Sequence, residues 1–128
     1  MIYIDTSAVV KLVHPEPQSG ALRAWLASHP DDLVSSALVR VEARRALLRN
    51  DPGALPRLPA ILSAIAQIPV SETVLDSAAM FPDSVLRSLD AIHLASAQSI
   101  TAVTEVLAYD KHLIDAARDA GLAVASPV

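Results

Sequence analysis

The chain contains no cysteine, so disulfides, thiolate zinc sites and cysteine nucleophiles are all excluded. Aromatic residues are also scarce, with one Trp, one Phe and two Tyr in 128 residues. The hydrophobic content of 52% is therefore mostly aliphatic, which favours helices packed on an aliphatic sheet over an aromatic binding surface. The absence of thiols suits a reducing cytoplasm, and this is the expected location.

Long hydrophobic runs are missing as well. No stretch approaches about 18 uninterrupted apolar residues, and no basic region precedes the apolar start at Met1 to Ile4, so neither membrane spanning nor export is expected. The length fits a single domain over residues 1–128.

Positive charge is in deficit, because ten Lys and Arg stand against fourteen Asp and Glu, giving a formal charge of −4. Such a balance argues against broad electrostatic capture of nucleic acid. The argument weakens if several acids sit together and hold divalent cations, since bound ions reverse the charge that a substrate meets.

Short apolar runs alternate with helical patterns along the chain, which predicts an α/β fold with a mostly parallel sheet flanked by helices in three layers. Strands are predicted at Met1–Ile4, Leu33–Ser35, Val106–Tyr109 and Leu122–Ala125, with a weak edge strand at Ile68–Val70. One long helix is predicted from Ala54 to Gln67, with Pro56 and Pro59 at or before its first turn.

Two acids directly follow predicted strands and precede predicted helices. These acids are Asp5 and Asp110, and sites in parallel sheets form beyond the carboxyl ends of the strands. Each has an ordinary alternative role as a helix N-cap, although Thr6 or Ser7 is also able to cap the first helix and leave Asp5 free.

Glu42 lies within a predicted helix, where an acid is normally solvated. Leu38, Val39 and Ala46 all lie within about 60° of it around the helix axis, which suggests a partly apolar setting. The alternative is an exposed Glu42 paired with Arg45 or Arg49, which share its side of the helix.

Asp90 falls in the first turn of an apolar helix, where the helix dipole stabilises a negative charge whether or not the acid has a function. His93 lies on the same side, and we expect it to be hydrogen-bonded in place rather than to assist Asp90. Arg87, one turn earlier, suits contact with a phosphate, neutralisation of the acids or a plain surface role. Asp115 is expected to be solvated, although it is close to Asp110 in sequence.

Four segments together resemble the PIN domains, in particular the VapC-type toxins of bacterial toxin–antitoxin pairs. They are Ile2-Tyr3-Ile4-Asp5-Thr6-Ser7-Ala8, Val39-Arg40-Val41-Glu42-Ala43-Arg44-Arg45-Ala46-Leu47, Leu86-Arg87-Ser88-Leu89-Asp90-Ala91-Ile92-His93-Leu94-Ala95 and Val106-Leu107-Ala108-Tyr109-Asp110-Lys111-His112-Leu113. Each motif alone is weak, but the four in this order and spacing span almost the whole chain and make a specific signal.

The resemblance implies a PIN fold, Mg²⁺- or Mn²⁺-dependent cleavage of RNA, a homodimer and inhibition by a cognate VapB-type antitoxin. It makes Asp5, Glu42, Asp90 and Asp110 the acidic, metal-binding set, with a supporting hydroxyl at Thr6 or Ser7. Ala108 departs from the pattern, because the family commonly has Thr or Ser two residues before the last acid. Asp110 is therefore the acid of the set that we expect to act on the metal through water.

The chemistry of four clustered carboxylates agrees with this implication. Two unit charges about 4 Å apart repel by roughly 4 kcal/mol at an intermediate dielectric, so the cluster needs cations or raised pKa values. Oxygen ligands select hard ions such as Mg²⁺ or Mn²⁺, which retain waters that are able to attack a phosphodiester in line.

Two other classes are weighed against this hypothesis. An aspartyl-phosphate phosphatase needs a second Asp two residues after the first, where this chain has Ser7, and a response-regulator receiver needs adjacent acids after its first strand. The non-enzymatic alternative is a PIN-like interaction scaffold whose acidic pocket binds a basic partner segment without cleaving anything.

Overall fold

The computed structural model describes residues 1–128, in which five strands and seven α-helices alternate. The elements are β1 (Ile2–Ile4), α1 (Thr6–Val13), α2 (Ser19–Ser28), β2 (Leu33–Ser36), α3 (Val39–Asn50), α4 (Leu58–Ser63), β3 (Ile65–Ile68), α5 (Glu72–Ala79), α6 (Ser88–Gln98), β4 (Glu105–Leu107), α7 (Lys111–Asp119) and β5 (Val124–Ala125). A 3₁₀ helix, Pro52–Arg57, precedes α4. No helix is long and apolar enough to cross a bilayer.

The sheet is parallel throughout, with strand order β3-β2-β1-β4-β5. The expectation of an α/β fold around a mostly parallel sheet is confirmed, and in the structure every pair of neighbouring strands is parallel. Because all strands run the same way, their carboxyl ends meet at one edge of the sheet. The residues that follow β1 and β4 therefore become neighbours, although they are far apart in sequence.

Alternation along β1 divides the core into two layers, since successive side chains of a strand point to opposite faces. Ile2 and Ile4 pack with α1, α3 and α4 in one apolar cluster. Tyr3 faces the opposite layer, where it packs with residues of α6 and α7 such as Leu94 and Leu113. The sheet is thus covered on both faces, and β1 lies at its centre.

The predicted helix from Ala54 to Gln67 is helical over residues 54–63, first as a 3₁₀ helix and then as α4, and the prediction is wrong at its C-terminal end, where a strand forms. The segment is divided among the 3₁₀ helix, α4 and β3, so the edge strand also begins at Ile65 rather than Ile68. Ile65 to Ile68 pair in register with Leu33 to Ser36 of β2, and this pairing satisfies backbone groups that a continued helix would have used itself. Pro69, which has no N–H to donate, lies just beyond the strand.

A left-handed residue ends α7. Gly121 has a φ of 85°, a conformation that glycine adopts without the steric cost that a side chain brings. This turn leads the chain into β5, which lies beside β4.

Candidate active site

Asp5 follows β1 and is the N-cap of α1. Its Oδ2 accepts hydrogen bonds from the backbone N–H of Ser7 at 3.2 Å and from the Ser7 hydroxyl at 2.8 Å. The capping role is therefore real, and it belongs to Asp5 rather than to Thr6 or Ser7. The second oxygen, Oδ1, lies 3.5 Å from Nε2 of His93, and the residue is only 4% exposed. Capping thus occupies one carboxylate oxygen and leaves the other directed toward α6.

Asp110 follows β4 in the same way and is the N-cap of α7. Its Oδ1 accepts the backbone N–H of Leu113 at 3.0 Å, and the residue is exposed. The Ser7 hydroxyl joins the two strand ends, because it donates to Asp5 and accepts the N–H of Tyr109 at 3.1 Å. Ser7 therefore links the two junctions, in addition to the backbone pairing of β1 with β4.

Glu42 projects from α3 toward two polar side chains rather than toward the arginines of its own helix. Its Oε1 lies 2.6 Å from Nε2 of His93 and accepts the hydroxyl of Thr6 at 2.8 Å. Burial acts to raise the pKa of Glu42, but the hydrogen bond and charge of His93, together with the bond from Thr6, lower it overall. The alternative pairing with Arg45 or Arg49 is absent, so Glu42 is held as a carboxylate beside the sheet edge.

His93 is the buried centre of this arrangement, with 1% of its surface exposed. Its Nδ1 lies 2.7 Å from the hydroxyl of Tyr3, which also accepts the backbone N–H of Ser36 at 3.1 Å. Burial acts to lower the pKa of His93, but the bond to Glu42 and the negative charges around it raise the pKa overall. Nε2 carries a hydrogen in the cation and in the tautomer that accepts from Tyr3, so the bond to Glu42 exists in either state.

The sequence correctly predicts that His93 is hydrogen-bonded in place, but it does not reveal the partners. Tyr3, Thr6 and Glu42 lie 90, 87 and 51 residues away along the chain. The one local signal is that His93 shares a helix side with Asp90. Tyr3 gave no signal at all, because an aromatic residue in a strand is most simply part of the core.

Asp90 lies in the first turn of α6 and is half-buried. Burial and the negative charges of Asp5, Asp110 and Glu42 together raise the pKa of Asp90 to about 6, against the opposing effect of His93. Three carboxylates from three other elements thus act electrostatically on one side chain. The four acids are therefore close enough to one another to interact electrostatically.

One cavity of about 360 Å³ brings the predicted residues together. Its lining comprises Asp5, Thr6, Ser7, Glu42, Arg87, Ser88, Leu89, Asp90 and Asp110. All four acids, both hydroxyl residues and Arg87 therefore face the same space. Asp115 does not, because it pairs with Lys111 at 2.7 Å on the surface of α7.

The donors of this cavity fit a hard divalent cation, although no group of three or more His, Asp or Glu side chains forms a complete cage for an ion. Mg²⁺ does not require such a cage, since it keeps several waters and is usually held by one or two carboxylates. The pKa of Asp90 is raised first by burial and then by the negative charges of Asp5, Asp110 and Glu42, and a bound cation would offset those charges.

Comparison with known proteins identifies the class to which this fold and cavity belong. The model of the PIN domain family matches residues 2–119, and the chain belongs to that family.

Named relatives narrow the comparison further. The chain is 40% identical to "Ribonuclease VapC35" of Mycobacterium tuberculosis, over 99% of this chain and 97% of the relative. It is 43% identical to "Ribonuclease VapC46" of the same species, over 98% and 97%. Among solved structures, M. tuberculosis VapC20, described as a "Sarcin-Ricin loop cleaving toxin", matches with a TM-score of 0.81 at 20% identity, over 99% of this chain and all of that one. A "Toxin-antitoxin complex from Klebsiella pneumoniae" matches with a TM-score of 0.75 at 20% identity, over 100% and 98%. At such identity these two structures establish the fold.

Proposed function

We propose that this protein is a cytoplasmic endoribonuclease toxin that uses Mg²⁺ or Mn²⁺ and is neutralised by a VapB-type antitoxin. The observation that carries the proposal is the cavity into which Asp5, Glu42, Asp90 and Asp110 all face. Family membership and the ribonuclease names of relatives at 40% identity support it. The chemistry that a divalent cation supplies when bound is an activated water for in-line attack and stabilisation of the charge that develops on the phosphate.

The proposed roles follow from how each side chain is held. Asp5 and Asp90 bind the ion, since one oxygen of Asp5 is free of its capping bonds and the negative charges of the other three acids act on Asp90. Glu42 remains ionised because His93 and Thr6 donate to it, so it is suited to orient a water at the cavity wall. Asp110 acts through water from its exposed cap position.

Two kinds of group support the acids. Thr6 and Ser7 orient carboxylates through the hydrogen bonds described above, which preorganises the cavity before any ligand enters. Arg87 lines the cavity with no acid paired to it, and a guanidinium matches the paired oxygens of a phosphate. The proposed reaction is direct hydrolysis, without a covalent enzyme intermediate.

The test is cleavage of total RNA by the purified chain, free of any partner, in Mg²⁺ or Mn²⁺ and in a chelator. Wild type is expected to cleave only with the metal, and Asp5→Asn and Asp90→Asn are expected to lose at least about 100-fold in rate. Asp119→Asn is the matched control, because this exposed acid lines a different cavity. If wild type, Asp5→Asn and Asp90→Asn cleave equally, the proposed site is wrong; if the wild type cleaves no RNA, the interaction-scaffold alternative replaces it.

An antitoxin is supported by the kinds of complex that share this fold, including the Klebsiella pneumoniae complex and "VapBC2 from Rickettsia felis", which has a TM-score of 0.67. A cavity lined by four acids is suited to a cationic partner side chain. In the cleavage assay, an arginine-containing peptide should therefore inhibit, whereas its arginine-to-glutamine counterpart should not.

We also propose a homodimer. Exposed apolar side chains on and between α5 and α6 support it, namely Leu75, Met80, Val85 and Leu89. Light scattering of the purified chain measures this state directly.

A further inference from the structure

The arginines of this protein are free of the acids. The ion pairs join Lys11 to Glu16, Lys111 to Asp115 and two histidines to carboxylates, and no arginine takes part in one. Three arginines hold other groups by hydrogen bonds, namely Arg23, Arg40 and Arg57. The remainder are exposed, and α3 carries three of them, Arg44, Arg45 and Arg49.

Helical geometry sets two of these three on the side of α3 that carries Glu42. Taking Glu42 as the reference, Arg45 lies about 60° and Arg49 about 20° away around the axis, whereas Arg44 lies about 160° away. Along the axis, Arg45 is about 4.5 Å and Arg49 about 10.5 Å beyond Glu42. Since Glu42 lines the cavity, Arg45 and Arg49 form a row that leads away from it along the helix. We call these two residues the α3 row.

The arginines of the α3 row are not paired with Glu42, because its side chain points inward. A Glu and an Arg three residues apart on a helix commonly pair, but Glu42 is engaged by His93 and Thr6 instead. Arg45 and Arg49 are therefore exposed and unpaired, one and two turns along α3 from an acid of the cavity. Such a placement gives no evident stability to the fold, and it provides cationic groups where a polyanion must pass.

We propose that Arg45 and Arg49 bind successive backbone phosphates of the RNA strand that leaves the acidic cavity. This inference rests on the proposed function and adds a direction to it, because the substrate must extend on one side of the cleaved bond. A guanidinium fork matches phosphate oxygens without reading bases. Although the net charge of the chain is −4, the two positive charges of the α3 row thus provide a local site that binds the RNA backbone.

The test measures binding of a short fluorescein-labelled single-stranded RNA to the full chain in Ca²⁺, over a series of KCl concentrations. Arg45→Gln and Arg49→Gln are each expected to weaken binding severalfold and to reduce the slope of log affinity against log salt by about 0.7 to 1. Arg44→Gln is the matched control, since it removes the same charge from the same helix on its other side. Melting temperatures of all three variants should equal that of the wild type.

A second measurement tests the direction of the strand. With RNAs shortened from either end, the effect of Arg49→Gln is expected to vanish on trimming one end and to persist on trimming the other.

Equal effects of Arg44→Gln and Arg45→Gln on RNA binding, or no change in the salt slope, would overturn the proposed role of the α3 row. Loss of antitoxin binding with unchanged RNA binding would also overturn it and make the row a protein interface. If wild-type protein binds RNA through the row yet cleaves none, the row stands and the proposed function fails.

Discussion

The junctions that follow β1 and β4 have the same local design but different surroundings. In each, an aspartate ends a buried strand and caps the next helix through a backbone N–H. Asp5 is enclosed by Ser7 and His93, whereas Asp110 is exposed and has no further side-chain partner. The same motif therefore gives one rigid, desolvated carboxylate and one solvated carboxylate. Local sequence sets the cap, and the position of each strand within the sheet sets its electrostatic environment.

The largest expected difference between the two junctions lies in activity. Asp5→Asn should reduce the rate of metal-dependent RNA cleavage by at least about 100-fold, and Asp110→Asn by about tenfold, because the exposed acid acts through water. Asparagine caps helices about as well as aspartate, so neither variant should lose its fold. Single-turnover cleavage and circular dichroism measure the two effects. Equal losses of activity would mean that burial does not distinguish the two acids.

The contact with His93 is the main difference between the surroundings of Asp5 and those of Asp110. His93→Leu should reduce activity by about 10- to 100-fold and lower the free energy of unfolding by about 1–3 kcal/mol, because Glu42 and the Tyr3 hydroxyl lose their partner. His93→Gln should recover part of both losses by donating to Glu42. Denaturant titration and cleavage rates measure them.

His14 supplies the control for His93. It lies 2.8 Å from Asp51, so it too contacts a carboxylate, but it does not line the acidic cavity. His14→Leu should leave the cleavage rate unchanged. An equal loss of activity in both variants would indicate general destabilisation rather than a role for His93 at the site.

The smallest expected effect is on the pKa of Asp90, which is raised by the negative charges of both Asp5 and Asp110. Removing a neighbouring negative charge lowers the pKa of a carboxyl group, so Asp5→Asn and Asp110→Asn should each bring the pKa of Asp90 below about 6. Asp5→Asn should lower it more, since Asp5 raises the pKa of Asp90 more than Asp110 does. Carbon-13 NMR of the metal-free carboxyl group measures both shifts. A larger shift from Asp110→Asn would reverse the order of the two junctions.

The sequence predicted the strand ends better than the network between them. Asp5 and Asp110 were foreseeable because a short apolar run followed by an acid and a helical pattern is a local signal. The contacts of Glu42 with Thr6 and His93 were not, since three separate elements meet there only after the sheet has formed. Helical spacing left two possible environments for Glu42, a partly apolar setting and an exposed pair with Arg45 or Arg49. Only the contacts between separate elements decide which of the two forms.

The prediction of one helix from Ala54 to Gln67 was wrong at its C-terminal end for a related reason. Leu55, Leu58, Leu62 and Ile65 recur at helical spacing, so the pattern alone extends one helix through the whole segment. Ile65 is in fact buried as the first residue of a strand against β2. A short apolar run is compatible with either structure, and the availability of a neighbouring strand edge decides between them.

The strand order has a consequence for how the protein is made. Strand β1 is synthesised first but lies at the centre of the sheet, and β4, one of its two neighbours, begins only at Glu105. A growing polypeptide that has reached β3 carries Asp5 and Glu42 but neither Asp90 nor Asp110, and one edge of β1 is still open. Because chains fold from the N-terminus as they emerge from the ribosome, the acidic cluster is completed only after β4 and Asp110 have emerged. The topology thus makes the assembly of the ribonuclease centre depend on the acid of the set that is synthesised last.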